Sequence, residues 1–159
     1  MSILKLANDA GNCSDTLYKK MQYITRSDAC RQEYIYGYET SSLHAYEAFM
    51  LTRKVYCQEH GKAYYHFIIR PENTDLVLEP DDFFELLTQI TVFLANYDGH
   101  RQAVSAIHFD DGERLHGHCI LNNIDMHTGK RWNIDRATLR DIKENISHIL
   151  KNYGLSEIR

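Results

Sequence analysis

Residues 107–123 read IHFDDGERLHGHCILNN and hold three histidines, His108, His116 and His118. Residues two apart in a strand project from the same face, so the H-x-H pair presents two imidazoles side by side. The flanking segments AVSAIHF (103–109) and HCILNNID (118–125) read as strands. The connection between them is too short for a parallel crossover, so an antiparallel hairpin is expected. Setting His108 opposite His116 centres the pairing on Gly112, which implies an odd-numbered loop with Gly112 at positive φ. A two-residue Asp111-Gly112 turn would instead set His108 against Leu115 and misalign the histidine faces. In the register centred on Gly112, three neutral imidazoles share one face and leave positions open, which suits a divalent metal. Asp110, at the strand end, could accept a hydrogen bond from a ligand imidazole and fix its tautomer. Asn122, four residues past His118, falls on the same face as a further polar contact.

Outward from the hairpin, strand and helix signals are mixed. Residues 2–6 (SILKL) open a strand, and 63–70 (AYYHFIIR) form another that ends at Pro71. Residues 33–39 (EYIYGYE) alternate weakly, as strand or loop. Helices are expected over 15–23, capped by Ser14 or Asp15, and over 42–59, with Gly61 just past the end. Another is expected over 81–97, with Pro80 and acidic residues at its start and Phe83, Leu87, Ile90, Leu94 and Tyr97 on one stripe. The last spans about 135–153, striped by Leu139, Ile142, Ile146, Ile149 and Tyr153 and closed by Gly154. A short strand is expected around 131–134. The fold class is therefore α+β (an α/β two-layer arrangement): a central antiparallel sheet carrying the histidine hairpin, packed by amphipathic helices. No phosphate-binding glycine loop of the GxGxxG or GxxxxGK[ST] type is present, which argues against a doubly wound nucleotide fold.

The 159 residues suffice for one domain, 43% are hydrophobic and 25% charged, and the net charge of -4 disfavours a protein that coats nucleic acid non-specifically. No apolar stretch spans a bilayer and no signal pattern opens the chain. Cys13, Cys30, Cys57 and Cys119 form no CxxC pair and read as reduced thiols in a cytoplasmic protein. His44, His60, His100, His127 and His148 read as solvated. His66 reads as strand core or as the wall of a site.

The segment LYKKMQYITR carries Tyr18 and Tyr23 beside Lys19, Lys20 and Arg26. A tyrosine hydroxyl, with an ordinary pKa of about 10, becomes a nucleophile only when its proton is removed or positive charge stabilises the phenolate. A metal would also polarise a phosphoryl oxygen.

The pattern His108-x-Asp110 … His116-x-His118-x-x-x-Asn122, after an early tyrosine in QYITR, resembles the relaxases. These are single-strand DNA endonucleases of the HUH class, found in plasmid mobilisation and conjugative elements. The resemblance covers most of the chain, including YYHFIIRPENTDLVLEPDDFFELL and NNIDMHTGKRWN. It implies that His108, His116 and His118 bind one divalent metal, Mg or Mn by family habit, although imidazoles suit Mn, Zn, Ni or Cu by affinity. It implies a catalytic tyrosine, matched best by Tyr23 with Tyr18 as fallback, and an acidic position after the first histidine, Asp110. The tyrosine would cut single-stranded DNA at a transfer origin, leaving a 5′-phosphotyrosine and a free 3′-OH, and reverse the step by joining. Accessory relaxosome or coupling proteins are implied partners. Gly117 stands where the family name has a hydrophobic residue. Pro71-Glu72-Asn73 stands where relatives often have Pro-Gly-Glu, which leaves Glu72 as a candidate acid. Because relaxases commonly continue into further domains, residues 1–159 are read as a single nuclease domain with room for a missing C-terminal part.

Candidate DNA contacts are Lys19, Lys20, Arg26, Lys130 and Arg131, with Trp132 to stack on a base. Two other classes compete. A metal-dependent small phosphoester hydrolase of the histidine-triad kind would need a further histidine where Ile120 stands. A non-catalytic DNA-binding accessory protein would use the histidines structurally.

Overall fold

The computed structural model describes residues 2–7, 13–72, 78–109 and 114–158. Five strands and four helices run in the order β1 (Ile3–Leu6), α1 (Ser14–Ile24), β2 (Ile35–Tyr38), α2 (Ala45–Val55), β3 (Tyr64–Arg70), α3 (Pro80–Asn96), β4 (Ala103–His108), β5 (His116–Asn122) and α4 (Arg136–Asn152). A short 3-10 turn, Gln32–Tyr34, leads into β2. The strands form one sheet in the order β1-β3-β5-β4-β2, and every pairing is antiparallel. The expected α+β class is present, and the strand bearing the H-x-H pair lies at the sheet's centre.

Two separate apolar clusters show that the amphipathic helices pack on both faces of the sheet. On one face, Tyr64, Val104, Ala106 and Ile120 pack with Leu17, Met21 and Ile24 of α1 and Ala45 and Phe49 of α2. On the other, Tyr65, Phe67, Ile69, Ala103, Ile107, Cys119 and Leu121 pack with Phe83, Leu86, Leu87, Ile90 and Leu94 of α3 and Ile142, Ile146 and Leu150 of α4. Burying each Val, Leu, Ile, Phe or Met side chain among these contributes about 1.5–3 kcal/mol. With both faces covered, every residue of β4 and β5 is buried.

Local chemistry sets the helix ends. Pro80 occupies the first turn of α3, where its missing N–H costs nothing. Asp135 caps α4, its carboxylate accepting from the Thr138 N–H at 2.7 Å. The expected Ser14 or Asp15 cap of α1 is not made: Cys13 holds the cap position without a side-chain bond. Helix α2 is shorter than expected. It stops at Val55 because Cys57 takes a left-handed conformation, φ 53°. The Cys57 N–H donates to the Lys54 carbonyl and the Gln58 N–H to the Arg53 carbonyl, a Schellman ending. Cys57 thus plays the part expected of Gly61. The strand expected around 131–134 is reduced to one bridge, Ile124 to Arg131.

Candidate functional site

His108 pairs directly with His116, and Ala106 with His118. This is the register centred on position 112, so all three imidazoles emerge from one face at one end of the hairpin. Gly112 and Asp110, with their expected turn conformation and hydrogen bond, lie outside the described residues. The rings of His108 and His118 have centroids 4.3 Å apart, those of His116 and His118 5.0 Å, and those of His108 and His116 5.3 Å. One ligand atom from each falls within 4.8 Å of the others, and all three residues are buried. This is the one group of three potential ligands found among the described residues.

Hydrogen bonds decide which atoms face inward. A carbonyl only accepts, so the 2.9 Å contact from His108 to the Ile24 oxygen puts the His108 proton on Nε2 and leaves the neutral ring's lone pair on Nδ1. Nδ1 of His118 contacts Nε2 of His66 at 2.9 Å, while Nε2 of His118 is buried with no hydrogen-bond partner. A buried polar atom without a partner costs about 1–3 kcal/mol, and three convergent imidazoles give that atom a natural occupant. The His118 pKa is pushed down to about 2 by burial, then by the neighbouring His108, His66 and His116 and by Lys20. Its ring is neutral, the form that ligates metal. The donor set thus fits a divalent ion.

Helix α1 sets a tyrosine against this cluster. The Tyr23 ring lies 5.4 Å from that of His108 and 5.7 Å from that of His118, the latter edge-on. It is 43% exposed, which leaves it accessible to a ligand. The Arg26 guanidinium sits 4.2 Å from the Tyr23 ring centre and the Lys20 ammonium 5.4 Å. The bond from His108 to Ile24 ties the end of α1 to the first histidine, and the Phe109 N–H donates to the Ala29 carbonyl just beyond. Tyr18 points elsewhere. Its ring stacks edge-on with Tyr46 in a groove between α1 and α2 lined also by Gln22, Ser42 and Glu47. Lys19 is exposed on α1, one helical turn before Tyr23.

The other expected site residues are not gathered here. Asn122 lies six residues along β5 from His116, roughly 20 Å away at strand spacing. It is buried and donates to the Phe49 carbonyl and the Gln102 amide oxygen. Lys130, Arg131 and Trp132 follow beyond that far end. Arg131 bonds Gln58 and the His60 and Lys62 carbonyls. Trp132 is a core residue, 5% exposed, packed edge-on against Tyr65 with the Arg101 guanidinium over its ring. Burial on that scale corrects the expectation of a base-stacking tryptophan, because the ring faces are already covered. Glu72 accepts from the Ser156 hydroxyl at 2.8 Å, and its N–H donates to Ser2, which ties it to the two ends of the chain. Ile120, at the position the histidine-triad chemistry would need, is fully buried core.

Sequence reasoning left His66 undecided, and the structure brings it to the site. It is 3% exposed and stacks on His118 with centroids 5.1 Å apart and planes 26° apart. Gly117, between His116 and His118, faces the opposite layer. A Cβ there would lie 2.7 Å from Leu87 Cδ1 and 3.3 Å from Phe83 Cζ, so glycine lets α3 pack close behind the strand of the H-x-H pair.

Three imidazoles that could hold a metal ion converge beside an exposed tyrosine and two cations. A family model, the nuclease domain of MobA/VirD2-like relaxases, matches residues 23–155. The chain belongs to that family. The Rlx protein of Staphylococcus aureus is 26% identical over 113 residues, covering 71% of this chain and 32% of that protein; the chain thus spans about a third of this curated relative's length. A structure solved to describe the molecular basis of vancomycin resistance transfer in Staphylococcus aureus shares the fold. Its TM-score is 0.67 at 12% identity, covering 100% of this chain and 97% of that one. Among the described residues, no helix is long and apolar enough to cross a membrane.

Proposed function

We propose that this chain nicks one strand of DNA at a transfer origin and can rejoin it. Tyr23 is the nucleophile, and His108, His116 and His118 are the ligands of one divalent ion, Mg or Mn. The observation that carries the reading is the contact of the Tyr23 ring with those of His108 and His118. It puts the one candidate nucleophile of α1 that reaches the histidines beside the only ligand cluster among the described residues.

The Tyr23 hydroxyl loses its proton to solvent and its oxygen bonds to phosphorus. The bond from phosphorus to the 3′ oxygen breaks, and that oxygen takes up a proton to become a free 3′-OH. The product is a 5′-phosphotyrosine, an ester that keeps the energy of the broken link, so attack by a 3′-OH reverses the step. A divalent ion supplies Lewis-acid polarisation of the phosphoryl oxygen. Arg26 and Lys20 add positive charge beside the ring, where the phosphate must enter. Lys19 extends that charge along α1. Family membership supports single-stranded origin DNA as substrate and accessory transfer proteins as partners.

The test is incubation with Mn²⁺ and a single-stranded oligonucleotide spanning a candidate origin, followed by a denaturing gel. A covalent protein–DNA band with a free 3′-OH product, lost with chelator, supports nicking by transesterification. Release of free nucleotides without an adduct would favour a phosphoester hydrolase. Binding without cleavage would favour an accessory protein.

A further inference from the structure

His66 has no role in the chemistry above, yet its Nε2 lies 2.9 Å from Nδ1 of a proposed ligand, His118. It sits in a strand, YYHFIIR, whose other residues are apolar or aromatic up to the exposed Arg70 at its end, so a leucine would pack there at lower desolvation cost. In the ladder it pairs with Ile120, while His118 pairs with Ile68. The two histidines are therefore diagonal neighbours on one face, close enough for their rings to meet.

The hydrogen bond between them admits two arrangements. If His66 donates, His118 must carry its own proton on Nε2, the buried atom that has no partner. If His118 donates from Nδ1, the unmatched N–H disappears and Nε2 keeps its lone pair. The second avoids a buried orphan donor. It also aims the lone pair of His118 at the ligand cluster.

Resting on the metal-site reading above, we propose that His66 is a positioning residue: its neutral Nε2 accepts the Nδ1–H of His118 and fixes the tautomer that binds metal. It does so without bringing negative charge, as a carboxylate partner would. The partner of a ligand imidazole sets both ring orientation and basicity, and its loss typically costs 10–100-fold in metal affinity.

Two measurements test this without DNA. In the metal-free protein at mildly alkaline pH, long-range ¹H–¹⁵N correlation spectra read each imidazole's tautomer. His118 should carry its proton on Nδ1; a proton on Nε2 overturns the proposal whether or not any variant folds. Calorimetric Mn²⁺ titration of His66→Leu should show affinity 10–100-fold below wild type. His66→Gln, whose amide oxygen can still accept, should recover most of it. Wild-type affinity in His66→Leu overturns the proposal. Equal loss in both variants also overturns it, by making His66 a direct fourth ligand. Because neither measurement involves cleavage, a correct tautomer with no covalent adduct would defeat the nicking reading alone.

Discussion

The Tyr23 ring stands edge-on over His118, with planes 89° apart and centroids 5.7 Å apart. Tyr23 comes from a helix and His118 from the central strand. What holds them together is local: His108, which pairs with His116 on β5, also donates to the Ile24 carbonyl, one residue past Tyr23. The end of the tyrosine helix and the histidine hairpin thus form one mechanical unit, and the predictions below probe its parts.

Divalent metal should stabilise the fold through the three histidines. A ligand at a hundred times its dissociation constant adds about 2.7 kcal/mol, so wild-type melting temperature should rise by several degrees with Mn²⁺. His118→Ala and His116→Ala should abolish the rise. A melting temperature that responds to Mn²⁺ equally in these variants would place the ion elsewhere.

The histidine register was readable because strand periodicity is strict: one assumption, His108 opposite His116, fixed the face of every residue in the hairpin, and the pairing agrees. The choice of Tyr23 over Tyr18 came from the resemblance, since both lie on one amphipathic helix. Only the packing of α1 turns one toward the histidines and the other toward Tyr46. His66 could not be placed because its strand is buried on both faces, which erases the alternation that would have assigned it a side. Lys130, Arg131 and Trp132 were candidates by residue type alone, two cations and an aromatic ring. An antiparallel strand carries the chain to its far end, and sequence distance does not say which end a later loop joins. Helix α2 was read too long because nothing in the residue type marks Cys57 as a left-handed stop.

Gly117 should be intolerant of a side chain. With Leu87 Cδ1 2.7 Å from where a Cβ would stand, and Leu87 and Phe83 fully buried, Gly117→Val overpacks the α3 layer. The expected cost is about 1–3 kcal/mol, read by chemical denaturation. Unchanged stability would mean that α3 can yield at this point.

Asp125 should give the fold an acid-limb pH dependence remote from the site. Burial would raise its pKa, but the backbone N–H groups of His100, Thr128 and His127 outweigh it and hold the carboxyl at about 2, below the ordinary 3.8. A group depressed on folding contributes stability above its unfolded value, and that contribution is lost as pH falls through its folded one. Asp125→Asn should therefore be less stable than wild type near neutrality, by about 1–3 kcal/mol. The gap should narrow between pH 3.8 and 2. A gap constant across that window would show that the charge contributes nothing. Covalent adduct formation should survive the substitution.

Binding of single-stranded DNA should weaken steeply with salt, despite the net charge of -4. Each phosphate contact contributes about 0.7 to the slope of log affinity against log salt. Lys20→Gln and Arg26→Gln should each lower the slope by about that amount. Lys130→Gln, at the far end of β5, should leave it unchanged for a short oligonucleotide across the nick. Fluorescence anisotropy over a salt series reads this directly, and salt-independent binding would contradict a cationic site around Tyr23.

The most direct test is the identity of the residue joined to DNA. After reaction with Mn²⁺ and a single-stranded origin oligonucleotide, the adduct is digested with protease and nuclease and the nucleotide-bearing peptide is sequenced by mass spectrometry. The phosphoryl group should be on Tyr23, with no adduct in Tyr23→Phe and an undiminished adduct in Tyr18→Phe. A modified Tyr18, or an adduct that persists in Tyr23→Phe, would contradict the account.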